Sequence, residues 1–415
     1  MATEPTARTA TEPTASTERP DFASLSRLVG PEAGDGFLAD TFGRGAFRRA
    51  LPEGEASRLF SWRLLNQALA EHRLGPSRLK LEKGGAEVGK AVFRERRPRP
   101  GVALHDTDTA ALYEHLRDGA TLILDAVNEL HPPLQRLCAG LAAEFCATSQ
   151  ANLYACWGVS QGFDVHWDDH DVFVVQVEGA KRWDLYGFTQ AAPLRRDAPP
   201  AERPAHAPEP MVLRAGDMLY LPRGYWHAAV GLGEPSLHLT IGLSRKVGAD
   251  FLHWLADEAA ADADVRADLR LEQDDAALGG QLAEILSRLQ ALGDPAELGR
   301  RYRRHLEAKR PHRPQLSFPL IGSPHQAFAP DSRLRLADGA ARLGESAGPG
   351  GFVFSHRGVD YTLATELRDA MAALCAGVAL RYADLVLQCG DAPERLIEAF
   401  VRDMLQRGVF VIEAP

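Results

Sequence analysis

The segment 163-FDVHWDDHDVFVVQVEG-179 carries the most informative residues of this 415-residue chain. It places His166 and Asp168, an H-x-D triplet, just before an apolar run rich in β-branched residues. On a strand, residues two positions apart point to the same face, so an imidazole and a carboxylate are presented together. The apolar run, bounded by Asp171 and Gly179, predicts a buried strand.

The region from Ala151 to Leu243 consists of short β-rich runs divided by Gly, Pro and Asp. The runs are NLYACWG, DVFVVQVEG, KRWDLYG, MVLRAGDMLYLP and SLHLTIGL. Several short strands separated by turn residues are typical of an all-β barrel or sandwich. We therefore expect such a fold for this part of the chain.

Helical spacing of apolar residues appears on both sides of the β-rich region. Before it, we expect helices over 57–73, over 106–119 and from Pro132 onward, with a short apolar run at 121–124. After it, helical spacing returns beyond Asp250. That spacing is clearest in the stripe Leu282, Ile285, Leu286 and Leu289.

The C-terminal part of the chain begins with a basic, proline-punctuated segment, 300–314, in which we expect a linker. Helices are predicted at 365–374, 382–387 and 393–406, and a β run follows at 409–412. Helices that end in a β-hairpin pattern suggest a winged-helix module. Residues 331–415 contain 9 Lys and Arg against 12 Asp and Glu, so the module lacks the basic surface of a DNA reader.

Composition predicts a globular protein of two or three domains, since 45% of the residues are hydrophobic and 25% charged. Residues 1–20 repeat ATEPTA and hold almost nothing to bury, so we expect a disordered tail. We place the barrel and its N-terminal helices at 21–248, a helical region with the linker at 249–314, and the winged-helix-like module at 315–415.

Several classes of protein are disfavoured by composition. We find no membrane span or signal peptide and expect a cytoplasmic protein. The formal charge of -9 argues against general nucleic-acid binding and suits a basic partner. The cysteines are odd in number and form no C-x-x-C pair, which disfavours disulfides and thiolate zinc sites. They are Cys138, Cys146, Cys156, Cys375 and Cys389.

A third metal ligand is offered by His227, 59 positions after Asp168, where Pro222 and Gly224 turn the chain. Two histidines and one carboxylate form a facial triad that leaves positions of iron(II) open, whereas a structural zinc site is closed. An isolated H-x-D is more often a surface pair or a hydrogen-bonded core histidine. The β-rich context and the distal histidine favour a metal site here.

Over HWDDHDVFVVQVEGAKRW, GDMLYLPRGYWHAAV and SLHLTIGL the chain resembles the JmjC-type oxygenases of the ribosomal oxygenase group. The resemblance implies an α+β protein: a double-stranded β-helix (jelly-roll or cupin) barrel with flanking helices, a helical dimerisation region and a C-terminal winged-helix-like domain. It also implies a homodimer. The activity it implies is an Fe(II)- and 2-oxoglutarate-dependent dioxygenase, in which 2-oxoglutarate and O2 are consumed and a C–H bond is hydroxylated.

The resemblance assigns the metal ligands to His166, Asp168 and His227. The residue that pairs with the far carboxylate of 2-oxoglutarate falls fifteen positions after the first histidine, at Lys181. An ammonium group there is a suitable anchor, since it forms charge-assisted hydrogen bonds. Arg182 is the alternative, and strand alternation allows only one of the two to point inward. We favour Lys181.

Weaker assignments follow for the strands on either side. Asn152 matches an asparagine near the co-substrate, and Tyr154 and Cys156 share its face. The family often has a Thr-Pro-Pro-like run where Ala155-Cys156-Trp157-Gly158 stands here, so the local pocket shape differs. Thr240 is a further co-substrate contact.

The remaining polar and aromatic residues near the motif receive structural roles. His238 and Thr240 lie opposite the apolar residues of the last predicted strand, which makes them candidates to face the cavity, but we favour a structural hydrogen-bonding role for His238 over a ligand role. We expect His170 to lie at a turn or rim, although it has a position from which it can approach substrate. Three aromatic residues are expected in the core. They are Trp183, Tyr186 and Trp226.

The expected function is hydroxylation of a side chain in a protein or peptide, such as a ribosomal protein or a ribosomally made peptide. Alternatives within the oxygenase class are a small-molecule substrate or removal of an N-methyl group. Two other classes remain open: a non-oxidative metal-binding cupin, acting as an isomerase or ligand sensor, and a regulator whose winged helix binds DNA.

Overall fold

The structure is a computed structural model. It describes residues 23–32, 34–89, 92–159, 161–197, 203–318, 328–337, 341–346, 350–390 and 392–413. The predicted disordered tail, 1–20, lies outside the described residues.

The helices and strands of the described residues have the following bounds. The helices are α1 (Ala23–Val29), α2 (Gly34–Gly36), α3 (Glu55–Leu59), α4 (Trp62–Glu71), α5 (Thr109–Arg117), α6 (Pro132–Glu144), α7 (Gly248–Ala259), α8 (Ala263–Arg266), α9 (Asp275–Ala291), α10 (Pro295–Lys309), α11 (Arg368–Cys375), α12 (Tyr382–Gln388) and α13 (Glu394–Gln406). The strands before the C-terminal module are β1 (Phe47–Ala50), β2 (Leu79–Lys83), β3 (Ala86–Val88), β4 (Phe93–Arg99), β5 (Val102–Thr107), β6 (Thr121–Leu124), β7 (Thr148–Cys156), β8 (Asp171–Glu178), β9 (Ala180–Phe188), β10 (Glu209–Arg214), β11 (Asp217–Leu221), β12 (Tyr225–Gly231) and β13 (Ser236–Ser244). Those of the module are β14 (Arg333–Leu336), β15 (Ala341–Ser346), β16 (Gly351–His356), β17 (Val359–Ala364), β18 (Leu380–Arg381) and β19 (Phe410–Glu413).

The predicted barrel is present and is built from two antiparallel sheets. The larger sheet has the order β1-β11-β8-β13-β7-β6-β2-β3, and the smaller one has the order β10-β9-β12. The chain crosses between the two sheets from β8 to β9, from β10 to β11, from β11 to β12 and from β12 to β13, while β9 and β10 stay together in the smaller sheet. This is the jelly-roll arrangement of a cupin barrel.

Strand alternation divides the barrel into an outer and an inner face. On β13, Leu237, Leu239 and Ile241 belong to the main hydrophobic core, together with residues of α6. His238 and Thr240 lie on the opposite, inner face. The helices therefore cover the outside of the larger sheet, and polar side chains are left for the interior.

The N-terminal helices differ in detail from the predicted pattern. The helix expected over 57–73 is two helices, α3 and α4, which are broken at Phe60. Ser61 caps α4 by accepting a hydrogen bond from the Leu64 N–H. Phe60 is extended and only 1% exposed, so its burial in the core is what interrupts the helix.

The linker predicted at 300–314 is wrong for most of its length, because residues up to Lys309 belong to α10. Asp294 caps this helix and Pro295 occupies its first turn. The Tyr302 ring lies 5.1 Å from that of Trp254 on α7, so packing supplements the helix signals. The extended segment begins only at Arg310.

The C-terminal module has its own hydrophobic core and two small sheets, ordered β18-β14-β19 and β15-β16-β17. The three predicted helices occur as α11, α12 and α13. The last β run is β19, which pairs with β14 from the start of the module and not with a neighbour in sequence. None of the helices in the described parts of the chain is long and apolar enough to cross a membrane.

Candidate active site

The structure brings His166, Asp168 and His227 together at one end of the barrel. The segment before β8 runs antiparallel to β12, with hydrogen bonds from His166 N to His227 O at 3.1 Å and from His227 N to His166 O at 2.8 Å. The Gly224 N–H donates to Asp168 O at 2.9 Å. Backbone pairing between distant segments therefore positions all three side chains.

Both imidazoles are oriented by the same kind of hydrogen bond. The Nδ1–H of His166 donates to Asp164 O at 2.7 Å, and that of His227 donates to Tyr225 O at 2.9 Å. The Nε2 atoms therefore keep their lone pairs. His227 Nε2 lies 3.7 Å from Asp168 Oδ2, and the three ligand atoms all lie within 4.8 Å of one another.

Electrostatics favour the metal-binding form of His227. Burial, and then the neighbouring His166, lower the pKa of His227 to about 4. An imidazole must be neutral to bind a metal ion, so the site holds this ligand in the required form at neutral pH. Two nitrogen ligands and one carboxylate on one side of an ion are the donor set of non-haem iron(II) oxygenases.

Asp171, three positions after Asp168, stabilises the start of β8 through hydrogen bonds. It is 2% exposed and accepts hydrogen bonds from Tyr220 Oη at 2.8 Å and Arg245 Nε at 2.6 Å. The Arg223 N–H also points to it, at 3.3 Å. The motif drew attention to this residue without assigning it a role, and its role depends on partners from three later segments.

Lys181 points into the barrel and is 3% exposed. Arg182 points outward and pairs with Asp184 on the same strand. Burial lowers the pKa of Lys181, and the group that opposes this effect is the thiol of Cys156. No carboxylate within the described residues pairs with the ammonium group. A buried cation without an anion is costly, so this interior is suited to an anionic ligand.

Three rings pack together next to the metal ligand His227. The Tyr154 ring stacks on His238 at 5.0 Å, and Trp183 lies 5.6 Å from His238 and 5.7 Å from His227. His238 Nδ1 and Trp183 Nε1 are buried and lack hydrogen-bond partners among the described residues. Burial and Lys181 lower the pKa of His238 well below its ordinary value, so its ring is neutral.

These contacts bear on two expectations. His238 was expected to be a structural hydrogen-bonding residue, but its Nδ1 atom has no partner in the described part of the protein. Trp183 is a core residue, as expected. Strand alternation predicts the inner-face position of His238 on β13, but it does not predict that Nδ1 lacks a hydrogen-bond partner there.

Asn152 and Thr240 are opposite each other on β7 and β13. Asn152 Oδ1 accepts hydrogen bonds from the Ala126 N–H at 2.9 Å and from Gln150 Nε2 at 2.8 Å. Both Asn152 and Thr240 line a cavity of about 510 Å³ that opens to the surface. Asn152 thus fixes the adjacent turn through its side-chain oxygen.

His170 lies at the rim, as predicted. Its Nδ1 is 2.9 Å from Asp169 Oδ1, and its ring packs against Gly242, where a Cβ atom would be 2.8 Å from Cδ2 and Nε2. Trp226 is buried and donates a hydrogen bond to Thr189. Tyr186 is only partly buried.

Among known families, the JmjC domain model matches this chain over residues 128–251. This range contains every residue assigned above to the metal ligands and the inner cavity.

Curated proteins with similar sequences include a histidyl-hydroxylase and a ribosomal oxygenase. Drosophila persimilis bifunctional lysine-specific demethylase and histidyl-hydroxylase NO66 is 28% identical over 222 residues, 52% of this chain and 31% of that protein. Gallus gallus ribosomal oxygenase 1 is 33% identical over 156 residues, 36% of this chain and 26% of that protein. The match thus spans a third or less of each of these relatives.

Among solved structures, the Escherichia coli ribosomal oxygenase YcfD in complex with cobalt and 2-oxoglutarate aligns with a TM-score of 0.54. The alignment covers 92% of this chain and 98% of that one at 18% identity, which is a likeness of fold. The JmjC match, the barrel and the relatives together show that this chain carries a JmjC domain related to those of the ribosomal oxygenases.

Proposed function

We propose that the protein is an Fe(II)- and 2-oxoglutarate-dependent oxygenase that hydroxylates a side chain of a ribosomal protein or another polypeptide. The observation that carries the proposal is the pairing, inside one barrel, of a two-histidine, one-carboxylate cluster with a buried lysine that has no acidic partner among the described residues. The first is suited to iron(II), and the second to the far carboxylate of a dicarboxylate.

The residues present fit an iron(II) ion. His166 and His227 offer Nε2 lone pairs because their Nδ1–H groups are bound to carbonyls, and Asp168 offers one oxygen at a similar distance. Iron held there would activate dioxygen, with 2-oxoglutarate as the reductant that leaves as succinate and CO2. The protein's task is to hold both in place and to exclude bulk water.

The chain's own residues would bind the co-substrate along the inner face. Lys181 donates to the far carboxylate, and the unpartnered Nε1–H of Trp183 is a further donor beside it. His238 Nδ1 is also unpartnered and donates in the tautomer that carries its proton on that atom. Thr240 and Asn152 line the side of the cavity nearer the surface. Because His238 is neutral, it adds a hydrogen bond without a second buried charge.

A polypeptide substrate is supported by the relatives, which are named as a histidyl-hydroxylase and ribosomal oxygenases. The acidic balance of this chain, a formal charge of -9, also suits a basic partner such as a ribosomal protein. The NO66 relatives are also named as lysine demethylases, so the test must distinguish the two outcomes.

The experiment combines two measurements. Purified protein with iron(II), ascorbate and 2-oxoglutarate should release succinate in air, and acid-extracted ribosomal proteins of the source species should gain one oxygen by mass spectrometry. Loss of a methyl group from a methylated peptide would indicate demethylation instead. Absence of succinate under all metals tested would contradict the oxygenase and favour a non-oxidative cupin.

We further propose the domain boundaries given above, with a winged-helix-like fold for the C-terminal module. Its helices α11 to α13 and the β18-β14-β19 sheet support that fold. All five cysteines are free thiols, which is compatible with a reducing, cytoplasmic compartment.

A homodimer through α9 is also proposed. This 17-residue helix buries none of its side chains, and Leu282 and Leu286 are 42% and 59% exposed. A second copy would cover this apolar surface. Leu286→Glu should shift sedimentation to the monomer, whereas Ser287→Glu on the same helix should not. A wild-type monomer at all concentrations would contradict the proposal.

A further inference from the structure

The cavity of about 510 Å³ does not end at the barrel. One side is formed by Asn152 and Thr240 of the inner face, with His170 beside them. The other side is formed by residues 311–313 of the extended segment 310–318, which we call the strap. The cavity is therefore a cleft between inner-face residues of the barrel and the strap, and it is open to the surface.

The strap is attached to both parts of the protein. On the barrel side, the Arg313 guanidinium lies 2.5 Å from Glu129, which also pairs with Arg78 at 3.1 Å. On the side of the C-terminal module, Gln315 donates a hydrogen bond to Ala337 O at 2.6 Å and Ser317 accepts one from the Ile412 N–H at 3.0 Å. These contacts hold the strap over the cleft.

The chemistry of the lining is mostly neutral and polar. The charge of Glu129 is balanced by two arginines, and most of the other side chains are amides and hydroxyls. Asn128 has both its groups engaged, with the Ala151 N–H and with Gln135. Amides and hydroxyls supply donors as well as acceptors, which complements a peptide backbone, where N–H and C=O groups alternate. The lining polar side chains are Gln135, Thr148, Ser149, Gln150, Asn152, Thr240 and Ser244.

We propose that this cleft is the docking groove for an extended segment of the polypeptide substrate, and that the strap is its outer wall. The inference rests on the proposed function and adds where the substrate lies. Its consequence is that the C-terminal module takes part in substrate binding through the strap, without contributing to the metal site. The volume lies within the range of ligand-binding clefts, and the open end allows a chain to pass out on the surface.

Thr148→Trp tests the groove, because Thr148 is an exposed residue at the start of β7 that lines the cleft. The matched control is Thr107→Trp, at the exposed end of β5, which does not line it. The probe is the ribosomal protein that the wild-type enzyme oxidises in the acid-extracted mixture. Thr148→Trp should raise the KM for that protein at least tenfold while kcat at saturation stays within threefold, and Thr107→Trp should match the wild type.

A second pair of variants tests the strap, and it keeps the proposal testable if Thr148→Trp fails to fold. Arg313→Gln removes the bridge to Glu129 and should raise the same KM severalfold. Arg304→Gln removes a different bridge, from α10 to Asp360 of the C-terminal module, and should have no such effect. Thermal unfolding of each variant checks that the fold is retained.

The outcomes are distinguishable. If Thr148→Trp and Arg313→Gln oxidise the ribosomal protein as the wild type does, the groove is wrong and the oxygenase stands. If the wild type releases succinate only with a small molecule, the polypeptide substrate is wrong, and the groove with it. If the wild type releases none, the proposed function itself is wrong, and this inference with it.

Discussion

Replacement of Lys181 by methionine should separate two effects of one side chain. In the protein without ligand, the ammonium group is 3% exposed and has no carboxylate partner among the described residues. Methionine has a similar length and no charge, so Lys181→Met removes a desolvation cost, and we expect the free protein to become more stable by on the order of 1–4 kcal/mol.

The same change should weaken 2-oxoglutarate binding. A charge-assisted hydrogen bond in a buried site contributes about 1.5–3 kcal/mol, which corresponds to roughly a 10- to 150-fold increase in Kd. The free protein would therefore gain stability while losing the additional stabilisation that saturating ligand provides to the wild type.

The assay is thermal unfolding under anaerobic conditions with manganese(II), with and without 2-oxoglutarate, together with a direct binding titration. Arg182→Met is the matched control, because Arg182 is the next residue and points to solvent. It should leave ligand binding unchanged. A Lys181→Met protein that unfolds at a lower temperature than the wild type and is still stabilised by 2-oxoglutarate would refute the reasoning.

Three other predictions follow from the site and its support. His166→Ala and Asp168→Ala should weaken cobalt(II) binding by more than about 100-fold and stop succinate release, whereas Asp169→Ala should retain the metal, as measured by cobalt absorption. Burial lowers the pKa of Lys181 in the folded protein below the ordinary 10.5 of the unfolded chain. Between these two pKa values the unfolded chain holds a proton on Lys181 that the folded protein has lost. The stability of the free protein should therefore rise with pH through that interval and level off above it. Chemical denaturation should show this rise in the wild type but not in Lys181→Met, and an identical pH profile in both would contradict it. Asp171→Ala leaves Arg245 and Tyr220 without their partner and should lower the free energy of unfolding in urea by about 3–5 kcal/mol. A decrease below about 1 kcal/mol would contradict the stabilising role of Asp171.

The inner face of the barrel could be predicted in large part from local pattern. Two-residue alternation on β9 placed Lys181 and Arg182 on opposite faces, and the same alternation on β13 put His238 and Thr240 together. This works because each strand has only two faces, and the apolar residues of the sequence mark the one that is covered by helices.

Long-range packing overrode local pattern elsewhere. A continuous helix over 57–73 satisfies the spacing of apolar residues, but burial of Phe60 in the core breaks it. The segment from Arg300 is so rich in charged residues that its sequence resembles a linker. It is nevertheless helical, and Tyr302 in it packs on Trp254. In both cases the contacts that determine the helix boundaries either join residues far apart in the chain or are too few to produce a pattern in the sequence.

The order of residues along the chain is sufficient to predict the H-x-D pair and a distal histidine as a metal site, and the resemblance to the JmjC-type oxygenases adds the assignment of Lys181. Only the tertiary structure reveals that His166 and His227 pair through their backbones, that Lys181 lacks a counter-ion among the described residues, and that the strap roofs a cleft beside the inner face. The physical reason is that ligand geometry, desolvation and cavities depend on atoms from separate segments meeting in space, and a local pattern carries no information about those distances.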